Sequence, residues 1–461
     1  MKSSAPRSSV SPARASAFDI LLRVEREGSY ASELLHSKPI AGLSALDHAL
    51  ATELVMGVLR WRSLLDDEIA TASSQPLSRL DLEILIALRV ALYQFCWLDR
   101  IPQRAALHES VELVKRARKR SAVPFVNAVL RKLSGAARER EPAQAQHTTE
   151  SANDLARRLS HPLWLVERWM NQFGAVAARQ ICAHNQTAPH TALRLRDPAA
   201  MDQLQTEGVP LDAGALLSSA RRVRAGEVTT TKTFRDRRVV IQDEASQLVA
   251  ALVSSGLRRD AKILDCCAAP GGKTLAIADR NPSATVTAVE LHPHRARLLQ
   301  QLLRTANPSA PVHCVGADAQ HLPMTSLFDR VLADVPCSGT GTLARHPEIK
   351  WRLSPADLAD LQARQSGILR AAMAHVVPGG RLIYSTCSLE KEENEDVIAQ
   401  ALAGNSSFRV LDCASELERL HAAGELTWND LTSLTRGPFL RTIPGIHPCE
   451  GFFAAVLEGF M

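Results

Sequence analysis

The apolar positions in the first third of the chain recur with the period of an α-helix. Those that share this spacing are Leu46, Leu50, Leu54 and Val58, then Leu85, Leu88 and Leu92, then Leu107, Val111 and Val114. Glycine and proline residues punctuate the run at Gly28, Pro76, Pro102 and Pro124, where they would separate one helix from the next. No β-type alternation of useful length interrupts it. We therefore predict an all-α domain over residues 17–134, preceded by a disordered basic tail at residues 1–16.

The pattern changes twice after this domain. Residues 135–152 (GAAREREPAQAQHTTESA) are polar and rich in alanine, glutamate and glutamine, which predicts a flexible linker. Residues 153–240 then mix a helical apolar pattern around Trp169 with short extended stretches such as 191–195 and 239–241. This mixture predicts a small α+β module.

From about residue 241 onward, apolar strands alternate with helical stretches. The predicted strands are 262–264, 286–289, 312–315, 331–333, 382–384 and 452–457. Alternation of this kind is typical of a doubly wound, mostly parallel sheet that binds its ligands at the carboxyl ends of the strands. We predict a multidomain chain whose third part, residues 241–461, is an α/β Rossmann-like domain.

Composition excludes several classes of protein. The 461 residues are 46% hydrophobic and 22% charged, with a net charge of +5, so the chain can bury real cores and tolerates a polyanionic partner. Its nine cysteines are odd in number and include no CxxC pair, which argues against a disulfide framework and a structural metal and favours a reducing cytoplasm. No apolar run approaches the length of a membrane span. We expect a cytoplasmic monomer without a metal, although the sequence does not fix the oligomeric state, and an organelle transit peptide is the alternative for residues 1–16.

Two clusters of basic residues are candidate contacts to nucleic-acid phosphates. The first has no acid among its members, which are Lys115, Arg116, Arg118, Lys119, Arg120, Arg131 and Lys132. The second comprises Arg221, Arg222, Arg224, Lys232, Arg235, Arg237 and Arg238. A solvated helix face is the ordinary explanation for a charge run, and an RNA-phosphate patch is the alternative of equal weight for the first cluster.

Acidic residues follow three successive strands of the predicted sheet. The first strand runs into ILDCCAAPGGKT (263–274), the second ends at Glu290, and the third ends near Asp318. GGKT suggests a phosphate-binding loop, but that motif needs a glycine where Cys267 stands. An acid after the second strand is suited to ribose hydroxyls, and Asp318 is placed to accept from an adenine amino group. The three acids together predict a nucleoside-containing cofactor.

A cysteine follows each of the next two strands, Cys337 in ADVPCSGTGT (333–342) and Cys387 in YSTCSLEKEENE (384–395). If these strands are neighbours, both thiols face one pocket. A thiolate that adds to carbon 6 of cytosine makes carbon 5 nucleophilic, which divides a difficult methylation into easier steps. Asp334 could assist at N3 if burial raises its pKa, and the second thiol could help to remove the carbon-5 proton. Two ordinary buried cysteines are the alternative.

The motifs resemble one family. CAAPGGK (267–273), DVPCSGTG (334–341), RHPEIKWR (345–352) and STCSLEKEENE (385–395) are similar to those of the NOL1/NOP2/Sun family of RNA cytosine-5 methyltransferases. The helical domain, with PFVNAVLRKL (124–133), resembles an RNA-binding NusB-like domain, an order of domains found in the Sun/RsmB subfamily that acts on 16S ribosomal RNA. The resemblance implies a class I methyltransferase domain that uses S-adenosylmethionine, and an RNA-binding role for the module at 153–240.

The resemblance also implies roles for single residues. Cys387 would be the nucleophile and Cys337 the thiol that assists release, with Asp334 between the cofactor and the base. Cofactor binding would fall to Cys267, Ala268, Ala269, Pro270, Gly271, Gly272, Lys273, Glu290, Asp318 and Asp334. Lys273 would orient acids in the pocket, whereas Arg345, Lys350 and Arg352 would meet the RNA backbone. Glu290 replaces the commoner Asp, and its longer arm still reaches a ribose.

Three other functions remain open. A DNA cytosine-5 methyltransferase would use Cys337 as its nucleophile, a transfer RNA methyltransferase would share the chemistry, and an RNA-binding ribosome assembly factor would share only the fold. The helical domain argues by resemblance against transfer RNA, and the presence of every reacting group argues against the assembly factor.

Overall fold

The structure is a computed structural model that describes residues 10–37, 40, 42–135 and 150–460. The chain forms two compact units, one of Met1–Ala188 with Leu343–Arg352 and one of Pro189–Thr342 with Leu353–Met461. We number helices and strands in chain order. Among the described residues, no helix has both the length and the apolar character needed to cross a membrane.

The first unit is helical, as its apolar periodicity predicts. Its helices are α1 Pro12–Glu27, α2 Ala31–Leu35, α3 Ala45–Arg60, α4 Arg62–Ala72, α5 Leu82–Trp97, α6 Gln103–Arg116, α7 Val123–Gly135, α8 Ala152–Arg158, α9 Leu163–Phe173, α10 Ala175–Asn185 and α16 Ile349–Arg352. Local signals fix several ends: Gly28 closes α1 in the left-handed region, and the Ser44 hydroxyl caps α3 by accepting from the Asp47 amide. Leu54 and Val58 are buried in the helical core, whereas Leu46, in the first turn of α3, is exposed.

The predicted basic tail overlaps helix α1. Residues 1–9 lie outside the described residues, but α1 begins at Pro12, and Arg14 is a buried part of the helical core. Its guanidinium donates to Gln94 at 2.7 Å and forms an ion pair with Glu109 at 3.0 Å. The boundary at residue 16 is therefore wrong, because Arg14 finds polar partners that the local sequence does not reveal.

The segment Leu343–Arg352 belongs to the helical unit although it follows the Cys337 loop in sequence. Lys350 is buried, and its ammonium donates to the carbonyls of Arg60 at 2.9 Å and Ser160 at 2.6 Å. Arg352 donates to three carbonyls between residues 24 and 29. The expectation that Lys350 and Arg352 meet the RNA backbone is thus wrong for Lys350 and unsupported for Arg352, since their donors point to main-chain carbonyls of their own unit.

The second unit contains two sheets. Its elements are β1 Ala192–Leu195, α11 Ala200–Thr206, β2 Leu211–Ala213, β3 Ala220–Val223, α12 Lys232–Arg235, β4 Val239–Ile241, α13 Glu244–Ser254, β5 Lys262–Asp265, α14 Gly272–Arg280, β6 Thr285–Glu290, α15 Pro293–Ala306, β7 Val312–Gly316, β8 Phe328–Asp334, α17 Pro355–Met373, β9 Val376–Thr386, α18 Glu395–Leu402, β10 Phe408–Leu411, α19 Cys413–Ala422, β11 Thr435–Arg436, β12 Phe439–Thr442 and β13 Phe452–Gly459. The small antiparallel sheet has the order β2-β3-β1-β4. The residues predicted as one α+β module therefore divide, with α8 to α10 in the first unit and β1 to β4 in the second.

The large sheet has nine strands in the order β11-β12-β13-β9-β8-β5-β6-β7, with β10 paired to β13. Strands β9, β8, β5, β6 and β7 are mutually parallel, and β13 is antiparallel to β9. All six predicted strands are present within this sheet. Buried aliphatic side chains pack around it. Because five of its strands are parallel, their carboxyl ends lie at one edge, where the candidate residues lie.

Candidate active site

The two predicted cysteines come together at the carboxyl edge of the sheet. Strands β8 and β9 are parallel neighbours, and the loop after each carries one of the thiols. The Sγ atoms of Cys337 and Cys387 lie 3.3 Å apart, and both side chains are half-buried. The strand order assumed from the sequence is therefore present, and both sulfurs line one cavity.

The environment distinguishes the two thiols. The contact with Cys387, burial and the negative charge of Glu393 raise the pKa of Cys337 well above its usual range. Cys337 is therefore a thiol that keeps its proton near neutral pH.

Asp334, at the end of β8, is fixed by two donors. The Lys273 ammonium donates to Oδ2 at 2.8 Å, and the Ser385 hydroxyl donates to Oδ1 at 2.8 Å. Burial opposes the charge of Lys273, but Asp334, Cys387 and Asp265 together raise its pKa above the ordinary value. The ammonium also lies 4.8 Å from the centre of the Phe452 ring. Lys273 is thus a protonated group that donates to Asp334.

A cavity of about 270 Å³ adjoins the sulfurs and runs along the strand ends. Its lining includes Cys267, Ala269, Glu290, Asp318 and Asp334 among the residues predicted for the cofactor. Glu290 is buried and its Oε1 accepts from the His292 amide at 2.9 Å, whereas Asp318 accepts from the Gln320 amide at 2.9 Å. Two of the three strand-end acids predicted from the sequence, Glu290 and Asp318, therefore line this cavity.

The loop from Cys267 to Lys273 packs too closely for a side chain at Gly271. This glycine has φ +108°, and a Cβ there would lie 2.7 Å from the side chains of Leu299 and Leu302 on α15. Helix α14 begins directly afterwards. Cys267 and Ala269 face the cavity, while Ala268 is buried and its amide donates to Val289.

The carboxylates at this edge of the sheet suit the hydroxyl and amino groups of a nucleoside-containing methyl donor. Asp265, at the end of β5, is buried, and its Oδ1 accepts no hydrogen bond from the described residues. Burial raises the pKa of Asp265 to about 7. A ligand with hydroxyl and amino groups would supply donors to acids of this kind, at the edge where Glu290 and Asp318 also present acceptors.

Comparison with known proteins agrees with this arrangement. A profile of the family "16S rRNA methyltransferase RsmB/F" matches residues 255–458, and a NusB family profile matches residues 11–135. A protein of Bacillus subtilis named "Probable ribosomal RNA small subunit methyltransferase B" is 35% identical over 403 residues, which are 85% of this chain and 88% of that protein. The chain belongs to the RsmB/F family. It is therefore an S-adenosylmethionine-dependent ribosomal RNA methyltransferase with an N-terminal NusB domain.

Other relatives cover the chain equally well. "Ribosomal RNA small subunit methyltransferase B" of Cronobacter sakazakii is 31% identical over 90% of this chain and 91% of its own length. "Putative methyltransferase Rv1407" of Mycobacterium tuberculosis is 32% identical over 98% and 97%. The crystal structure of PH0851 has a TM-score of 0.78 at 22% identity, covering 99% of this chain and 100% of the other, and supports the fold alone.

The first basic cluster of this RsmB/F member is partly neutralised. Arg116 pairs with Asp19 at 2.7 Å and Lys119 with Asp81 at 2.9 Å, while Arg118, Arg120 and Arg131 are exposed. In the second cluster, Arg222 pairs with Glu244 and Arg238 with Asp197. Fewer cations therefore face solvent than the sequence count suggests.

Two residues of the site were not predicted from the sequence. Arg364 on α17 lines the cavity beside Cys337, and Glu393 contacts both cysteine loops. Arg364 lies in an ordinary amphipathic helix, and Glu393 lies in a run of acids that is typical of an exposed turn. Among the described residues, no group of three or more His, Cys, Asp or Glu side chains is arranged to hold a metal ion.

Proposed function

We propose that the chain transfers a methyl group to carbon 5 of a cytosine in 16S ribosomal RNA, with Cys387 as the nucleophile and Cys337 assisting release. The observation that carries the proposal is the 3.3 Å separation of the two sulfur atoms beside Asp334 at the wall of one cavity. Two thiols at this distance lie within reach of one pyrimidine ring. A single buried structural cysteine would need no such partner.

The direction of the Cys337 pKa supports the division of roles. A thiol whose pKa is raised is a poor source of thiolate, and only the thiolate adds to carbon 6. Cys387 is the other sulfur of the pair and lines the same cavity. The same argument disfavours the DNA-type assignment, in which Cys337 would attack.

The reaction begins when the Cys387 thiolate forms a bond to carbon 6 and the carbon 5–carbon 6 π electrons move to carbon 5. S-adenosylmethionine, when bound, supplies a methyl group as an electrophile, and the electrons of the broken bond stay on the donor sulfur. The carbon-5 proton then leaves, its electron pair restores the double bond, and the thiolate of Cys387 departs. Once Cys387 is bonded to carbon 6, its contact no longer raises the pKa of Cys337. Cys337 then gives its proton to solvent and takes the carbon-5 proton instead, so each turnover releases one proton.

Asp334 and Lys273 form the polar edge of the proposed base site. Lys273 carries a proton, and Asp334 presents oxygens held by Lys273 and Ser385. Addition of the thiolate places negative charge on the ring, and a proton donated at N3 through this pair stabilises that charge. Glu290 and Asp318 are proposed to hold the ribose and the adenine of the donor, and Cys267 to Lys273 to cradle its methionine part.

The choice of 16S RNA rests on the family profile and on the names of the relatives. The exposed arginines Arg118, Arg120 and Arg131 of the NusB domain supply cations for RNA phosphates. A transfer RNA substrate is the alternative, and the site chemistry is the same for both. We expect the protein to act as a monomer.

Substitution of each cysteine tests the proposal. Purified protein is incubated with labelled S-adenosylmethionine and either 16S RNA, small-subunit particles or transfer RNA, and the products are analysed for 5-methylcytidine and on denaturing gels. Cys387→Ala should abolish both methylation and covalent capture, whereas Cys337→Ala should accumulate a protein–RNA adduct. Cys314→Ala, a half-buried thiol on β7, is the control.

Each alternative gives a different result. The reverse pattern for the two variants would establish Cys337 as nucleophile, and methylation of transfer RNA alone would replace the substrate. Cofactor binding without methyl transfer to any of these RNAs would favour an assembly factor. Bisulfite sequencing of ribosomal RNA with and without the gene then identifies the modified cytosine.

A further inference from the structure

Glu393 is a buried carboxylate that neutral donors surround. It ends the short turn Lys391–Glu393, which follows the Cys387 loop, and its side chain is fully buried. Its Oε1 accepts from the Ser338 amide at 2.8 Å and from the Gln365 side chain at 2.8 Å. Its Oε2 accepts from the hydroxyls of Ser338 and Ser388, each at 2.5 Å. Burial of a carboxylate without donors is costly, and these four hydrogen bonds offset that cost.

The donors come from both cysteine loops. Ser338 follows Cys337 directly, and Ser388 follows Cys387 directly. The two hydroxyls lie 3.0 Å apart and meet at one carboxylate oxygen. Gln365, on α17, binds Glu393 with its amide and also donates to the carbonyl of Pro336 at 2.9 Å, so the residues on both sides of Cys337 are held.

We propose that Glu393 is a positioning residue that fastens the Cys337 loop to the Cys387 loop and thereby fixes the distance between the two sulfur atoms. The inference rests on the proposed function, because it assigns a purpose to that distance. The loops follow separate strands and meet only after the chain has folded, and Glu393 is an acceptor that both of them share. The charge of Glu393 also contributes to the raised pKa of Cys337, which fits the role of that thiol as the proton-holding member.

Chemical cross-linking measures the sulfur separation without methyl transfer. Diamide takes two electrons and two protons from the paired thiols, so that one sulfur–sulfur bond forms and the diamide becomes a hydrazine. The rate at which the Cys337–Cys387 disulfide forms in the full chain is followed by mass spectrometry. The same proteins are assayed for kcat and for KM with 16S RNA, and for thermal unfolding.

Glu393→Ala removes the common acceptor. Glu393→Gln keeps one oxygen that can accept from the Ser338 amide and Gln365, and its NH2 group can donate to the Ser338 and Ser388 hydroxyls once these rotate to accept. We expect Glu393→Ala to lower the cross-linking rate at least tenfold and kcat by about 100-fold, with KM for RNA changed by less than about threefold. Glu393→Gln should cross-link within about threefold of the unsubstituted protein and keep more than about a tenth of kcat. Glu418→Gln, on the exposed face of α19, is the matched control.

Ser338→Ala removes one hydroxyl with little change in side-chain volume. It is the variant to test if Glu393→Ala does not fold. It should slow cross-linking and lower kcat by about tenfold without changing cofactor affinity. Cross-linking in Glu393→Ala or Ser338→Ala at the rate of the control would overturn the inference, as would a Glu393→Gln variant as impaired as Glu393→Ala. A failure of the Cys387→Ala test would overturn the proposed function instead, because cross-linking reports the sulfur separation whichever thiol attacks.

Discussion

A methyl group at residue 341 should damage the active site from outside the cavity. Gly341 lies four residues after Cys337, and its amide donates to the carbonyl of Cys387 at 2.9 Å. Its own carbonyl accepts from the amide of Gly451 at 2.9 Å. Gly341→Ala would place a Cβ 2.2 Å from the carbonyl oxygen of Gly451 and 2.8 Å from that of Cys387. Both neighbours are main chain and cannot turn away as a side chain would.

The distances set the size of the effect. Since Cβ atoms are essentially never closer than 3.0 Å to another heavy atom, the Gly451 oxygen must move from 2.2 to 3.0 Å, a shift of about 0.8 Å. Overpacking of this kind costs about 1–3 kcal/mol, which should lower the Tm of the second unit by roughly 2–12 °C. The Gly341 loop, which bears Cys337, lies between the Gly451 and Cys387 carbonyls and must give where Gly451 does not. Displacement of this loop by a shift approaching 1 Å should lower kcat by about 10–100-fold.

The assay combines methyl transfer to 16S RNA, thermal unfolding and cofactor binding. Cofactor affinity should stay within about twofold, because Gly341 does not line the cavity. Gly459→Ala is the control, since its added Cβ would meet side chains rather than main chain, the Phe408 ring at 3.3 Å and Val376 at 3.6 Å. A Gly341→Ala protein with the Tm and kcat of this control would refute the reasoning.

Four other substitutions test the electrostatics. Asp265 has a pKa of about 7 in the folded protein, so unfolding releases its proton and stability falls as pH rises from about 4 to about 7; denaturant unfolding of Asp265→Asn should show less of this fall. Burial lowers the pKa of His346 to about 4, so its contribution is lost as pH falls from about 6.5 through about 4, and His346→Gln should flatten the acid limb of unfolding of the helical unit. Arg14→Met should cost about 3 kcal/mol in urea unfolding, because Glu109 loses a largely buried partner. Arg23→Met, which breaks an exposed pair, should cost less than about 0.5 kcal/mol, and equal costs would contradict the burial argument.

The fold was largely predictable because its signals are local. Strands β5 to β9 and β13 are apolar runs with turn residues at their ends, and each predicted strand is present. The cysteines were predictable for the same reason, since the residue after a parallel strand must lie at the carboxyl edge. Strand order, which makes Cys337 and Cys387 neighbours, was assumed rather than derived, because pairing depends on contacts distant in sequence.

Charged residues were the main source of error. Lys350, in RHPEIKWR, looks solvated or RNA-facing, yet its ammonium is buried against carbonyls of Arg60 and Ser160. Glu393, in EKEENE, looks like one acid of an exposed turn, yet four hydrogen bonds surround it. Main-chain carbonyls and serine hydroxyls are present in every sequence, so no pattern reveals which of them will meet a buried charge.

The Cys337 loop is restrained on both sides of its sulfur, which suggests how the protein supports the reaction. On one side of Cys337, Gln365 donates to the carbonyl of Pro336, and on the other side Ser338 donates to Glu393. Three residues after Ser338, the Gly341 amide donates to the carbonyl of Cys387. In the proposed reaction, thiolate addition and proton removal act on adjacent carbons of one ring, so both sulfurs would have to be in place in the same complex. The restraints therefore serve the pair rather than either thiol, and this explains why buried polar groups persist where an apolar core would be simpler to build.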